Sequence, residues 1–178
     1  MCGVALKLVK EAARYQGAFA SLSIGAPLLT SDQDFRIVAD ALAAATAAYD
    51  DGATAICLMG HGTEAAANEV YERMQKELAG SGRANYFIGT VEAAPTVDKV
   101  LSLVKAGNYK RVLLQPMMIV AGDHANNDMA GEEEGSWKRI FESAGYEVVC
   151  QVHGLGDLEA IQDLFVEHTK ATVQVLNG

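Results

Sequence analysis

Three of the chain's four histidines fall in short glycine-bearing segments. His61 lies in Met59-Gly60-His61-Gly62-Thr63. His124 lies in Ala121-Gly122-Asp123-His124-Ala125-Asn126-Asn127-Asp128, and His153 in His153-Gly154-Leu155-Gly156. A carboxylate, Glu92, has a comparable setting in Thr90-Val91-Glu92-Ala93-Ala94-Pro95. Imidazole suits Co, Ni, Fe and Zn, and a carboxylate adds charge neutralisation. The same groups abstract protons near neutral pH, where histidine titrates. Glycine beside them lets the backbone approach a large ligand closely. Residue types alone leave three roles open: metal ligation, proton transfer, or loop imidazoles that only satisfy backbone groups and cap helices. His168, within the last helical stretch, reads as a surface or packing residue.

Other chemistry has less support. Gly60-His61-Gly62-Thr63 is too short for a phosphate loop, and neither a dinucleotide fingerprint nor a Walker pattern is present. Ser23 and Ser136 have no evident histidine–acid partner for nucleophilic catalysis. Glu132-Glu133-Glu134 reads as a solvated helix start that complements the helix dipole. Met117-Met118 reads as core, with an apolar wall for a flat ligand as the alternative.

The four loops share one position in the expected architecture. Strand-like and helix-like stretches alternate along the chain. Strands are expected over Phe19–Gly25, Thr54–Met59, Ala84–Thr90, Arg111–Val120 and Tyr146–Val152. Helices are expected over Leu6–Tyr15, Asp34–Tyr49 (capped by Ser31 or Asp32), Thr63–Leu78, Thr96–Lys105, Glu132–Ala144 and Asp157–Val175. Pro116 is expected to end or bulge its strand. Near-continuous apolar strands separated by helices predict a doubly wound α/β fold with a parallel sheet covered on both faces. Right-handed crossovers then bring every strand-to-helix loop to one sheet edge. Ligands in this architecture bind outside the carboxyl ends of the strands.

Composition sets the outer bounds. The chain has 178 residues, half of them apolar, and 21% charged, which is ordinary for one globular domain. Its formal net charge of −9 and the absence of a basic stripe argue against nucleic-acid binding. No long uncharged apolar run predicts a membrane span. Cys2, Cys57 and Cys150 are widely spaced, without metal-finger or redox spacing, and read as reduced thiols in a cytoplasmic setting.

Met59-Gly60-His61-Gly62, together with the run Leu114-Gln115-Pro116-Met117-Met118-Ile119-Val120-Ala121-Gly122-Asp123-His124-Ala125-Asn126-Asn127-Asp128-Met129-Ala130, closely resembles the anaerobic cobalt chelatases. These are class II enzymes that insert cobalt into sirohydrochlorin on the way to cobalamin. Gly25-Ala26-Pro27-Leu28-Leu29, Ser136-Trp137-Lys138 and Gly154-Leu155-Gly156 fit the same pattern, and the resemblance runs over essentially the whole chain.

The resemblance implies a chelatase-like fold of two similar flavodoxin-like halves with a tetrapyrrole between them. It implies that His61 and His124 bind the incoming metal and accept pyrrole protons, with Glu92 as a third, carboxylate ligand. It further implies ATP-independent insertion of Co(II), with Ni(II) or Fe(II) as alternative metals, no nucleotide, and sirohydrochlorin or a precorrin-type tetrapyrrole as partner. Arg36, Lys99 and Lys138 are candidates for the substrate's carboxylates. The family's N-terminal third has no counterpart ahead of Leu6. Residues 1–178 are therefore expected to form one α/β domain resembling the C-terminal half plus the crossover, to self-associate, and to act as an enzyme or, alternatively, as a non-catalytic metal or tetrapyrrole carrier.

Overall fold

The computed structural model describes residues 10–63 and 66–177. Cys2 and the first residues of the expected helix Leu6–Tyr15 lie outside them; residues 10–13 are helical. Four strands form among the described residues: β1 (Thr54–Gly60), β2 (Tyr86–Thr90), β3 (Arg111–Pro116) and β4 (Glu147–Cys150). All pair in parallel, in the order β2-β1-β3-β4. Besides the helical residues 10–13, five α-helices accompany them among the described residues: α1 (Asp32–Thr46), α2 (Glu69–Gly80), α3 (Val97–Ala106), α4 (Trp137–Ser143) and α5 (Glu159–Asn177). The expected α/β class with a parallel sheet is what forms.

Alternation along β1 divides the interior in two, because successive side chains in a strand point to opposite faces. Ile56 and Leu58 join Phe35, Val38 and Leu42 of α1, Met74 and Leu78 of α2, and Ile161 and Leu164 of α5. Ala55, Cys57 and Met59 join Val100 and Val104 of α3 and Trp137 and Phe141 of α4. Both faces of the sheet are thus covered, and β1 is buried along its whole length. That is why its sequence is an unbroken apolar run.

Several expected boundaries move. No strand forms over Phe19–Gly25. Phe19 and Ile24 are exposed, and Gly25 lies against Thr172 and the His168 carbonyl of α5, so the segment ends beside a helix rather than a strand partner. α2 begins at Glu69 rather than Thr63, after a 3-10 turn over Ala66–Asn68. α4 begins at Trp137 rather than Glu132. The Ser136 hydroxyl accepts from the Arg139 amide at 3.2 Å and fixes the cap there. Glu132–Glu134 therefore precede the helix instead of forming its first turn, and Glu132 pairs with Lys138. β3 stops at Pro116, as its missing N–H requires.

Polar contacts hold the ends of this scaffold. Ser31 caps α1, accepting from the Asp34 amide at 3.1 Å while the Asp34 carboxylate accepts from the Thr30 amide at 2.9 Å. The edge strand β2 is also covered. The Gln75 side chain donates to the Tyr86 carbonyl and accepts from the Ile88 amide, both at 2.8 Å. One amide thus occupies backbone groups that an edge otherwise offers to another strand.

Candidate metal centre

The connection after β1 turns to α2 on one face of the sheet, and the connection after β3 leads to α4 on the other. β1 and β3 are neighbours, so their loops part and leave a crevice above the carboxyl ends. This is the topological switch point where open α/β sheets bind ligands. His61 follows β1 directly. His124 opens a π-helical turn (His124–Met129) eight residues after β3 ends at Pro116. Glu92 comes from the loop after β2, on the other side of β1.

These three side chains converge. Each offers one ligand atom, and the three atoms lie within 4.8 Å of one another. The His61 and His124 rings meet edge to face, with centroids 4.7 Å apart. Glu92 reaches both: its carboxylate lies 3.8 Å from His61 Nδ1 and 4.0 Å from His124 Nε2. Two imidazoles and a carboxylate form a donor set that divalent first-row metals accept. His61 and Glu92 are half exposed and His124 about one-third, so water and ligands reach the site.

The loops are held by main-chain bonds. The Glu92 amide donates to the His61 carbonyl at 2.9 Å, and the Val91 amide to the Gly60 carbonyl at 3.1 Å. The Thr90 hydroxyl donates to the Ala93 carbonyl at 2.6 Å, and Asn68 Nδ2 to the Ala94 carbonyl at 2.6 Å. Gly62, at φ +87°, sits where an added Cβ would meet Thr90 and the Ala93 amide nitrogen within 2.9 Å. Its own amide donates to the Tyr71 hydroxyl of α2 at 3.2 Å. On the other side, the Met117 amide donates to the Met59 carbonyl at 2.7 Å, tying the chain after β3 to β1.

Each imidazole has a fixed partner at Nδ1. His61 Nδ1 lies 2.9 Å from the Gly62 carbonyl, and His124 Nδ1 lies 2.6 Å from the Asp128 carboxylate. Both partners only accept, so of the two neutral tautomers the one with its hydrogen on Nδ1, and its lone pair on Nε2, satisfies each contact. Asp128 is the residue that the spacing argument passed over. A carboxylate four residues after a histidine shares its face in a helical turn, and the segment had been expected to be a loop.

The other candidates lie elsewhere. His153 Nδ1 is 4.0 Å from Asp157, and the pair is exposed, outside the three-residue cluster. The His153-Gly154-Leu155-Gly156 segment is a strand-to-helix connection, as expected. His168 packs between the Ala26 carbonyl, 2.9 Å from Nδ1, and Asp34, 3.4 Å from Nε2. Arg36 donates to the Asp32 carbonyl on α1, Lys99 lines a groove between α2 and α3, and Lys138 is taken by Glu132. Burial raises the Cys57 thiol pKa far above its ordinary value and also raises that of Cys150, so neither is a ready thiolate.

The family model for Cobalt chelatase (CbiK) matches residues 6–174. The chain belongs to the cobalt chelatase family. Two curated relatives show the same kinship. The sirohydrochlorin cobaltochelatase CbiKC of Nitratidesulfovibrio vulgaris (strain Hildenborough) is 34% identical over 167 residues, covering 94% of this chain and 59% of that protein. The sirohydrochlorin cobaltochelatase of Salmonella typhimurium (strain LT2) is 33% identical over 162 residues, covering 91% of this chain and 61% of that protein. The chain thus spans about three-fifths of the length of the curated relatives it matches. Among the described residues of this cobalt chelatase family member, no helix is long and apolar enough to cross a membrane.

Proposed function

We propose that this chain inserts Co(II) into sirohydrochlorin without a nucleotide, with His61, Glu92 and His124 as the metal-binding residues. Convergence of the three side chains at the switch point carries the reading. His61 and His124 have a second role as acceptors of the two pyrrole protons that metallation releases. A neutral imidazole suits both tasks, since the lone pair that binds a metal also takes a proton. Glu92, within 4.0 Å of a nitrogen on each ring, balances the ion's charge. Water-accessible donors favour exchange of the metal's hydration shell for ring nitrogens. Binding energy remote from the metal supplies the distortion that turns pyrrole lone pairs toward it. Ni(II) and Fe(II) also suit the donor set, and a precorrin-type ring is the alternative acceptor.

The same reading takes residues 1–178 as one α/β unit resembling the C-terminal half of a two-half chelatase with its crossover. A single four-stranded sheet among the described residues supports it. It places the protein in the cytoplasm, which two unpaired thiols, Cys57 and Cys150, support. It also has the chain self-associate. The β2 edge is covered by Gln75, whereas α5 leaves Phe165, Val166 and Val173 exposed along one face.

The test is anaerobic: sirohydrochlorin and Co(II) followed by absorbance, with the chain and its His124→Ala variant. Insertion that depends on His124 supports the enzyme. Co(II) binding that depends on His124, with no acceleration over the protein-free control, selects the second reading, a metal or tetrapyrrole carrier. The coverage of only three-fifths of the relatives' length keeps that reading in view. Unchanged Co(II) affinity in His124→Ala refutes the site.

A further inference from the structure

We propose that Asp128 is a positioning residue that sets the tautomer of His124 and thereby decides whether this imidazole can offer a lone pair to a metal. The inference rests on the reading of His61, Glu92 and His124 as the metal-binding set.

The His124 ring stands between two carboxylates. Asp128 Oδ2 is 2.6 Å from Nδ1, and Glu92 Oε1 is 4.0 Å from Nε2. A neutral imidazole has one N–H, and the shorter, charge-assisted contact claims it. The hydrogen therefore sits on Nδ1, and Nε2 keeps its lone pair on the side of Glu92. Without Asp128, Glu92 is the carboxylate left beside the ring. The hydrogen then moves to Nε2, pointing at Glu92, and the ring presents a donor N–H where a metal needs a lone pair.

The loop does not need this carboxylate for its shape. The π-helical turn is closed by the Ala130 amide on the Ala125 carbonyl at 3.2 Å and the Gly131 amide on the Asn127 carbonyl at 3.1 Å. Asn126 Nδ2 braces it from within, donating to the Gly122 carbonyl at 2.9 Å and the Ala121 carbonyl at 3.2 Å. Asp128 is half exposed, and its hydrogen bond goes to the imidazole. His61 is set in the same tautomer by the Gly62 main-chain carbonyl, which no substitution removes. Only the His124 partner can be altered by mutation. Carboxylates behind metal-bound histidines fix ring orientation and strengthen the donor nitrogen. In serine hydrolases the corresponding Asp→Asn change keeps the geometry but selects the wrong tautomer.

The experiment uses Asp128→Asn, which matches Asp in shape but can donate its amide hydrogen to Nδ1. Long-range 1H–15N spectra of the metal-free protein are recorded at pH 8, where an ordinary imidazole is neutral. Co(II) is then titrated and its ligand-field absorbance followed, with Asp128→Ala and His124→Ala in parallel. The wild type is expected to show His124 as the Nδ1–H form. Asp128→Asn and Asp128→Ala are expected to shift it toward Nε2–H and to weaken Co(II) binding about 10- to 100-fold. An isosteric Asn would leave both readouts unmoved if Asp128 only packed the loop. A wild-type Nε2–H form, or Co(II) binding in Asp128→Asn equal to wild type while His124→Ala loses it, overturns the proposal. Undiminished Co(II) binding in His124→Ala instead overturns the metal-site reading, and the tautomer spectra judge Asp128 without any metal.

Discussion

Replacing Gly62 by Ala tests how tightly the candidate site is built. Two costs act there. The backbone sits at φ +87°, where an L-residue pays about 1–2 kcal/mol. The new Cβ would stand 2.7 Å from Thr90 Oγ1, 2.9 Å from Thr90 Cβ and 2.9 Å from the Ala93 amide nitrogen. The Ala93 nitrogen is main chain and cannot rotate away. Thr90 Oγ1 can, but only by giving up its bond to the Ala93 carbonyl. Overpacking of this kind costs about 1–3 kcal/mol. The sum is about 2–5 kcal/mol. Gly52 supplies the control: it sits at φ +75° with nothing within 4 Å of an added Cβ. Gly52→Ala should therefore show the conformational cost alone, about 1–2 kcal/mol. The chain can relieve the crowding at Gly62 by parting the Glu92 loop from His61, so Co(II) affinity should fall as well. Urea unfolding gives the stabilities and Co(II) titration the affinities of the two variants. Equal destabilisation by the two substitutions, with wild-type Co(II) affinity in Gly62→Ala, would refute the reasoning.

Two further outcomes follow from the scaffold. Burial alone would raise the Asp34 pKa, but the Ser31 hydroxyl, the Thr30 amide and the His168 ring outweigh it and hold the pKa below its ordinary value. A depressed folded value means stability that is present above the unfolded value, near pH 4, and lost as pH falls through the folded pKa. Asp34→Asn should therefore cost about 1.5–3 kcal/mol at pH 7, with the gap to wild type closing in acid; a gap independent of pH in urea unfolding would contradict this. The buried Thr46 and Tyr86 hydroxyls share a hydrogen bond of 2.6 Å, and Thr46 also donates within reach of the Leu42 carbonyl at 2.8 Å. Tyr86→Phe leaves Thr46 paired and should cost about 0.5–1.5 kcal/mol, whereas Thr46→Val strands the phenol and should cost about 1–3 kcal/mol; the reverse order in thermal unfolding would be evidence against this pairing.

The parts of the molecule that sequence pattern foretold are those set by burial on both sides. Thr54–Met59 announces β1 because every residue of it is buried, and the loops at its end and at the end of β3 follow from the crossover rule. What the pattern could not supply depended on partners distant in sequence. Phe19–Gly25 has strand composition, but its last residue, Gly25, lies against α5, a contact more than 140 residues away. The three glutamates before α4 are good helix formers, yet the hydroxyl of Ser136 places the cap after them. The π-helical turn that aligns His124 with Asp128 has no compositional mark, because its residues would suit an ordinary loop. Convergence of His61 with Glu92 and His124 was expected from family likeness; the residues themselves gave only a shared edge.

The three donors belong to two separately braced units. His61 and Glu92 form one, joined by the Glu92 amide on the His61 carbonyl and the Val91 amide on the Gly60 carbonyl. His124 belongs to the other, on a turn with its own internal bonds. The units meet along β1 and β3, where Met59 faces Pro116 and the Met117 amide reaches the Met59 carbonyl. A one-residue slip there would exchange the side chains of two differently packed buried faces, so the register is firmly set. Separation of the imidazoles is accordingly inherited from the sheet. Their donor character is set locally, by Gly62 and Asp128. Substitutions at the loop partners should therefore change how strongly a metal is held while leaving the distance between the rings as it is.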